Sequence, residues 1–162
     1  MNLDKLLDLA WSIAEVEARA LGSEVIEPMH FLLAALKIID VGFPAQLEKA
    51  NISSEVWKSM CKDAKKVQQY LDIVPEKITM VRRRIRHRPA RAATLPIPGD
   101  QMIHRSRKTR AAFFDAAYQA DGEAITLLQL MESMFELGFL DVSDMRWRTP
   151  TKTFRKNGKR DR

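Results

Sequence analysis

Residues 18–36 read ARALGSEVIEPMHFLLAAL, and the way this stretch divides decides the fold. Its alanine-rich start stops at Gly22, the residue best suited to the left-handed turn that closes a helix. Ser23 to Ile26 make a short extended link. Pro28 suits the first turn of a second helix, where the N–H it lacks would bond nothing. The run MHFLLAALKII that follows is apolar on most sides, as a helix sunk in a core must be. Upstream, Leu3, Leu6, Leu7, Ala10, Trp11, Ile13, Ala14, Ala18 and Leu21 recur at steps of three and four, one apolar face of a first helix with Asn2 as its expected cap.

Downstream, Gly42 breaks the chain and PAQLEKAN predicts a short third helix from Pro44. Ser53 or Ser54 caps a fourth, in which Val56, Met60, Ala64 and Val67 keep the period and Lys58, Lys62, Lys65 and Lys66 take the outer faces. Residues 71–103 lose the pattern. Pro75, Pro89, Pro96, Pro98 and Gly99 punctuate them, and a basic, proline-containing linker is expected there, within which EKITMVRRRIRHR has the makings of a short basic helix. The period resumes at Ser106. RKTRAAFFDAAYQA predicts a helix with Ala112, Phe113, Ala116, Ala117 and Ala120 inward, ended by Asp121-Gly122, and TLLQLMESMFEL predicts a second apolar helix. A weak helical turn from Phe139 to Met145 follows, and residues 146–162 have no apolar period.

The two halves superpose as sequences. Placing Ile26 on Ile125 sets His30 on Gln129 with no gap inside the unit, and each unit has a helix, a glycine, a short link, an isoleucine and an apolar helix. One such unit exposes its apolar helix, and two bury it together. The expected architecture is all-α: two pseudo-symmetric helical repeats over 1–70 and a shortened 104–145, joined by the basic linker of 71–103 and followed by a basic tail over 146–162.

ARALGSEVIEPMHFLLAAL resembles the Clp amino-terminal repeat, whose pattern is an alanine-rich helix, Leu-Gly, a few residues, Ile-Gly-Thr-Glu-His and Leu-Leu. Ala18, Arg19, Leu21, Gly22, Ile26, His30, Leu32, Leu33 and Leu36 match it in register. The second copy, DAAYQADGEAITLLQLMESMF, keeps the alanines, Ile125 and the apolar helix. The resemblance covers roughly residues 1–70 and 104–140. It implies a docking module for substrate or adaptor proteins, carried by an ATP-driven unfoldase ring in the same protein or in a partner. The family docks partners near the seam between repeats, which singles out Glu27, Met29, Thr126 and Leu128. The chain departs from the pattern where Gly-Thr-Glu is replaced by Glu27-Pro28-Met29 and by Thr126-Leu127-Leu128. Apolar residues thus stand at both glutamate positions that some members use for phosphoarginine, and that activity is not expected here. The connection between copies is also some two dozen residues longer than usual, and the second copy lacks its final helix.

Charge gives a second reading. The chain carries a net +6, but six arginines between Arg82 and Arg91 and a net +7 from Arg146 to Arg162 exceed that total, leaving the remainder at −7. Arg82, Arg83, Arg84, Arg86 and Arg88 are candidates for contact with nucleic acid or an acidic partner, or for pairing with the acidic body. No aromatic residue interleaves with them to stack on bases. Trp147 and Phe154 stand among the basic residues of the tail, while Thr149-Pro150-Thr151 is similar to the opening of the family's ATPase-proximal linker. A small nucleic-acid-associated protein with basic arms is therefore the rival function, and a free-standing regulator competing for adaptors a third.

Nothing points to catalysis. No phosphate-cradling GxxxxGK[ST] occurs, His30 has no acid or thiol at ligand spacing, the other two histidines, His87 and His104, lie in basic surroundings that disfavour a cation, and no serine has a nucleophile-elbow context. No cofactor or metal is expected. His30 is read as a capping or packing residue, and the lone Cys61 as a packing residue in a reducing compartment. No run of about 18 apolar residues occurs, and Asp4, Asp8, Glu15 and Glu17 interrupt the start, so no membrane span or signal peptide is expected and the cytoplasm is the default location.

Overall fold

A computed structural model describes residues 2–40, 53–87, 95–141 and 143. Their order is α1 (Lys5–Ala20), β1 (Val25–Ile26), α2 (Pro28–Ile38), α3 (Ser54–Leu71), α4 (Pro75–Arg86), β2 (His104–Arg105), α5 (Arg107–Gln119) and α6 (Leu127–Glu136). The fold is all-α apart from the two short strands. The helix expected from Pro44, the turn's end at Met145 and the tail of 146–162 lie outside the described residues.

Helix α1 starts at Asp4 rather than Asn2. The Asp4 carboxylate accepts the N–H of Leu7 at 2.6 Å, and Asn2 instead offers its carbonyl to Ile125 N at 3.0 Å. The helix closes as its glycine requires. Gly22 has φ 63°, its N–H donates to Arg19 O at 3.0 Å, and Ser23 N donates to Ala18 O at 2.9 Å. Helix α6 ends the same way at Gly138, with φ 68° and the pair Gly138 N to Phe135 O at 3.0 Å and Phe139 N to Met134 O at 2.9 Å. Both are the two-bond glycine cap that satisfies carbonyls left over by the last turn.

Helix α2 is the centre. Phe31, Leu32, Leu33, Ala34, Ala35 and Leu36 are fully buried, with α1, α4 and α6 packed on different sides. Helices α5 and α6 pack on each other, and α3 bridges α1 and α6. Edge-on contacts join Trp11, Phe31 and Phe113, with ring centroids 5.3 to 6.2 Å apart, so α1, α2 and α5 meet at one aromatic cluster.

Within the stretch expected to be a linker, Pro75–Arg86 form helix α4. Pro75 opens the helix, and Ile78, Val81 and Ile85, at steps of three and four, are buried against the body. A second part of that stretch is also fixed: Ile97 N donates to Arg19 O at 3.0 Å and Arg19 Nη1 donates to Pro98 O at 2.6 Å, which holds it on the end of α1.

The extended residues before four of the helices are cross-paired. Asp4 N, at the cap of α1, donates to Ile125 O at 3.0 Å, just before α6, and Leu3 and Ile125 form a parallel bridge. Ser106 N, at the cap of α5, donates to Ile26 O at 3.1 Å, just before α2, where β1 and β2 run parallel with Ile26 opposite Arg105. Among the described residues no helix is long and apolar enough to cross a membrane.

Candidate protein-docking site at the starts of α2 and α6

Glu27 and Thr126 cap α2 and α6, and both are half-buried. The Glu27 N–H donates to His30 Nδ1 at 2.9 Å, so the ring three residues into the helix turns back on its own start. At α6 the Thr126 N–H donates to Gln129 Oε1 at 2.9 Å, while Gln129 N donates to Thr126 Oγ1 at 3.2 Å and closes the reciprocal box. His30 and Gln129 therefore supply the same acceptor from different side chains. His30 is wholly buried, and accepting at Nδ1 requires the neutral ring with its proton on Nε2.

Capping occupies both main-chain N–H groups at the helix starts and the Thr126 hydroxyl. Met29 and Leu128, each at the second position of its helix, are half-buried and rest on the core with part of the side chain accessible. These two are the members of the predicted quartet best placed to meet a partner.

The arginine set divides. Arg86 donates through Nε to Glu17 Oε2 at 2.9 Å and through Nη2 to Glu17 Oε1, a bidentate pair on a carboxylate that is 2 % exposed. Arg82 lies 3.5 Å from Asp40 and 3.9 Å from Glu17. These two hold α4 to the ends of α1 and α2. Arg83 and Arg84 are exposed, and Arg88 lies outside the described residues.

Two other clusters of charge stand out. A cleft between the start of α1 and α3 is lined by Leu3, Asp4, Leu6, Val56, Met60 and Asp63, among others. Burial pushes the Asp4 carboxyl above the usual carboxylate range against the pull of the Leu7 N–H, and nearby Asp63 pushes it the same way. Asp63 is itself paired with Lys66 at 2.7 Å. On α6, burial and then Glu136 raise Glu132; burial, then Glu132 and Glu136, raise the neighbouring Tyr70 phenol, whose ring meets Phe135 edge-on at 6.0 Å. Among the described residues no three His, Cys, Asp or Glu side chains gather as a metal site needs.

Sequence reasoning passed over the outer face of α5. Phe114 and Tyr118 are 72 % and 87 % exposed, beside the exposed cations Arg107, Lys108 and Arg110. The available signal was two aromatics one turn apart and off the alanine stripe. Against known family models and characterised proteins, the chain matches none.

Proposed function

We propose that this chain is a docking module of the Clp amino-terminal kind, which holds unfolded segments or an adaptor protein near the starts of α2 and α6. In this reading α1–α2 and α5–α6 are two repeats about a pseudo-twofold axis, and the chain turns over nothing itself. ATP hydrolysis belongs to an unfoldase ring in the same protein or in a cytoplasmic partner. The observation that carries the reading is the matched pair of helix starts. His30 and Gln129 fall on the same place in the repeat, perform the same backward cap, and leave Met29 and Leu128 half-exposed at equivalent positions. The cross-pairing of Asp4 with Ile125 and of Ser106 with Ile26 supports it, since a twofold operation exchanges those two contacts.

Apolar residues that are accessible yet backed by a packed core suit adaptable capture of apolar segments, methionine most of all. The test is binding of a permanently unfolded model protein to the full chain, followed by fluorescence anisotropy. Met29→Glu and Leu128→Glu should each weaken binding about tenfold, the loss of roughly one buried anchor, with the helical circular dichroism signal unchanged. Full affinity in both variants would remove the site.

A further inference from the structure

We infer that the outer face of α5 is a binding site for single-stranded nucleic acid, with Phe114 and Tyr118 stacking on bases and Arg107, Lys108 and Arg110 contacting phosphates. The site lies on the outer face of α5, whose first turn is joined to Ile26 beside the start of α2, and the proposal does not rest on the docking role.

Helical geometry sets the arrangement. At 100° per residue, Arg107, Phe114 and Tyr118 fall within about 40° of arc, and Phe114 and Tyr118 are separated by about 6 Å along the axis. The inward side of the same helix is fully used, with Ala112, Phe113 and Ala116 buried. The aromatic rings on the outer side therefore contribute nothing to the core, although exposing two of them has a cost in water. Their exposure, 72 % and 87 %, leaves the ring faces open to a flat partner.

The charge at the start of the helix has one sign. From His104 to Arg110 the chain reads HRSRKTR, four cations without an acid, and Arg107, Lys108 and Arg110 are exposed. The N-terminus of α5, capped by Ser106, adds the positive end of the helix dipole at the same place. Arg105 is held just behind this turn, its guanidinium 4.5 Å over the Trp11 ring and 4.8 Å over Phe113, with Nη1 buried and unbonded. Burial, and then Arg110, push its pKa down. The first acid along the helix, Asp115, accepts from Gln119 at 2.9 Å.

A polyanion whose units each present a flat π-face satisfies both halves of the pattern, and a single strand does so where a duplex cannot, because its bases are free to leave the stack. The contrast with α4 is chemical: Arg82 and Arg86 are committed to Glu17 and Asp40, and no aromatic stands among them.

The experiment is fluorescence anisotropy of the full chain with a labelled oligothymidylate of about a dozen nucleotides, beside a duplex of equal length. The Phe114→Ala/Tyr118→Ala double variant removes no charge and places a good helix former at two exposed positions, so it keeps the fold. It should weaken the single strand about thirtyfold or more, the loss of two stacking platforms, leave duplex binding within about twofold, and leave the salt dependence unchanged. Arg107→Gln/Arg110→Gln should instead flatten the salt dependence by about two phosphate contacts. The site is overturned if the aromatic double variant binds the single strand as wild type does, if wild type binds the duplex as tightly, or if wild type binds neither. It is equally overturned if a polyglutamate peptide displaces the strand and loses its own affinity in the aromatic variant, which would assign the face to acidic proteins. Concentration-dependent dimerisation lost in that variant would assign it to a second copy of the chain.

Discussion

The helix pairs α1–α2 and α5–α6 begin alike and are finished differently. Asp4 and Ser106 each cap the outer helix through a side-chain oxygen, and His30 and Gln129 each turn back on the start of the inner one. Thirteen residues beyond the outer caps the likeness ends. Glu17 is buried against Arg86 and Arg82 from α4, whereas Gln119 sits near the surface, donating to Asp115 and, at 3.3 Å, to Ser133. The first pair is sealed by an additional helix and an ion pair, whereas on the second α3 lies against α6 with Tyr70 on Phe135, leaving Glu132 and Phe135 half-buried and Glu136 exposed. Local start signals thus fix where helices begin, and what packs on them afterwards sets how firmly each is held.

The largest effect should come from removing that seal. Glu17→Ala leaves Arg86 and Arg82 without their shared carboxylate at the edge of the core, and should cost about 3 kcal/mol in urea unfolding, the low end for a broken buried pair because Arg86 can turn towards water. Gln119→Ala, at the matching place in α5, should cost no more than about 0.5 kcal/mol, as for an ordinary surface change. Equal losses would mean that α4 does not seal the first pair.

Next in size is the backward cap. His30→Ala opens a hole in the core and leaves the Glu27 N–H without its acceptor, which should cost about 2–3 kcal/mol. Gln129→Ala removes a half-buried acceptor and should cost about 1 kcal/mol. His30→Gln transplants the second pair's solution into the first and should recover part of the loss. If it is as damaging as alanine, the ring's packing matters and its Nδ1 does not.

What the sequence made legible follows the same division. The helix starts at Pro28, Ser106 and Thr126, the stop at Gly22 and the alignment of His30 with Gln129 all depend on residues within a turn or two of each other. The all-apolar run of α2 announced its own burial. Helix α4 did not, because Ile78, Val81 and Ile85 keep helical steps but Arg82, Arg83, Arg84 and Arg86 outweigh them in any average over the window. The apolar residues find their place only against α2, and two of the arginines find theirs only against Glu17 and Asp40, which are distant in sequence. The shift of the first cap from Asn2 to Asp4 has a similar cause: pairing with Ile125 draws residues 2 and 3 into an extended bridge, a tertiary demand invisible to a local pattern. Of the candidate site, Met29 and Leu128 came from the resemblance to the Clp amino-terminal repeat, whereas the hydrogen bonds of the backward caps at Glu27 and Thr126 and the exposure of Phe114 and Tyr118 needed coordinates.

The smallest effect tests the half-buried α3-facing side of the second pair. Glu132 has its pKa raised by burial first and by Glu136 second, so its ionised form is disfavoured in the folded protein relative to the unfolded chain. The unfolded chain therefore binds fewer protons than the folded one between the two pKa values, and stability falls as pH rises through that window. Above it, Glu132 carries a constant penalty. Glu132→Gln should raise the unfolding temperature slightly at pH 7, with the advantage shrinking as the pH drops below the raised pKa and both forms become neutral. The neighbouring Tyr70 phenol, raised partly by the same carboxylates, should titrate closer to its ordinary range in the variant, readable in its ultraviolet difference spectrum. A variant that is no more stable than wild type at pH 7, with Tyr70 titrating unchanged, would mean that this edge of α6 is as well solvated as the outside of α1, and that the two helix pairs differ only in the seal supplied by α4.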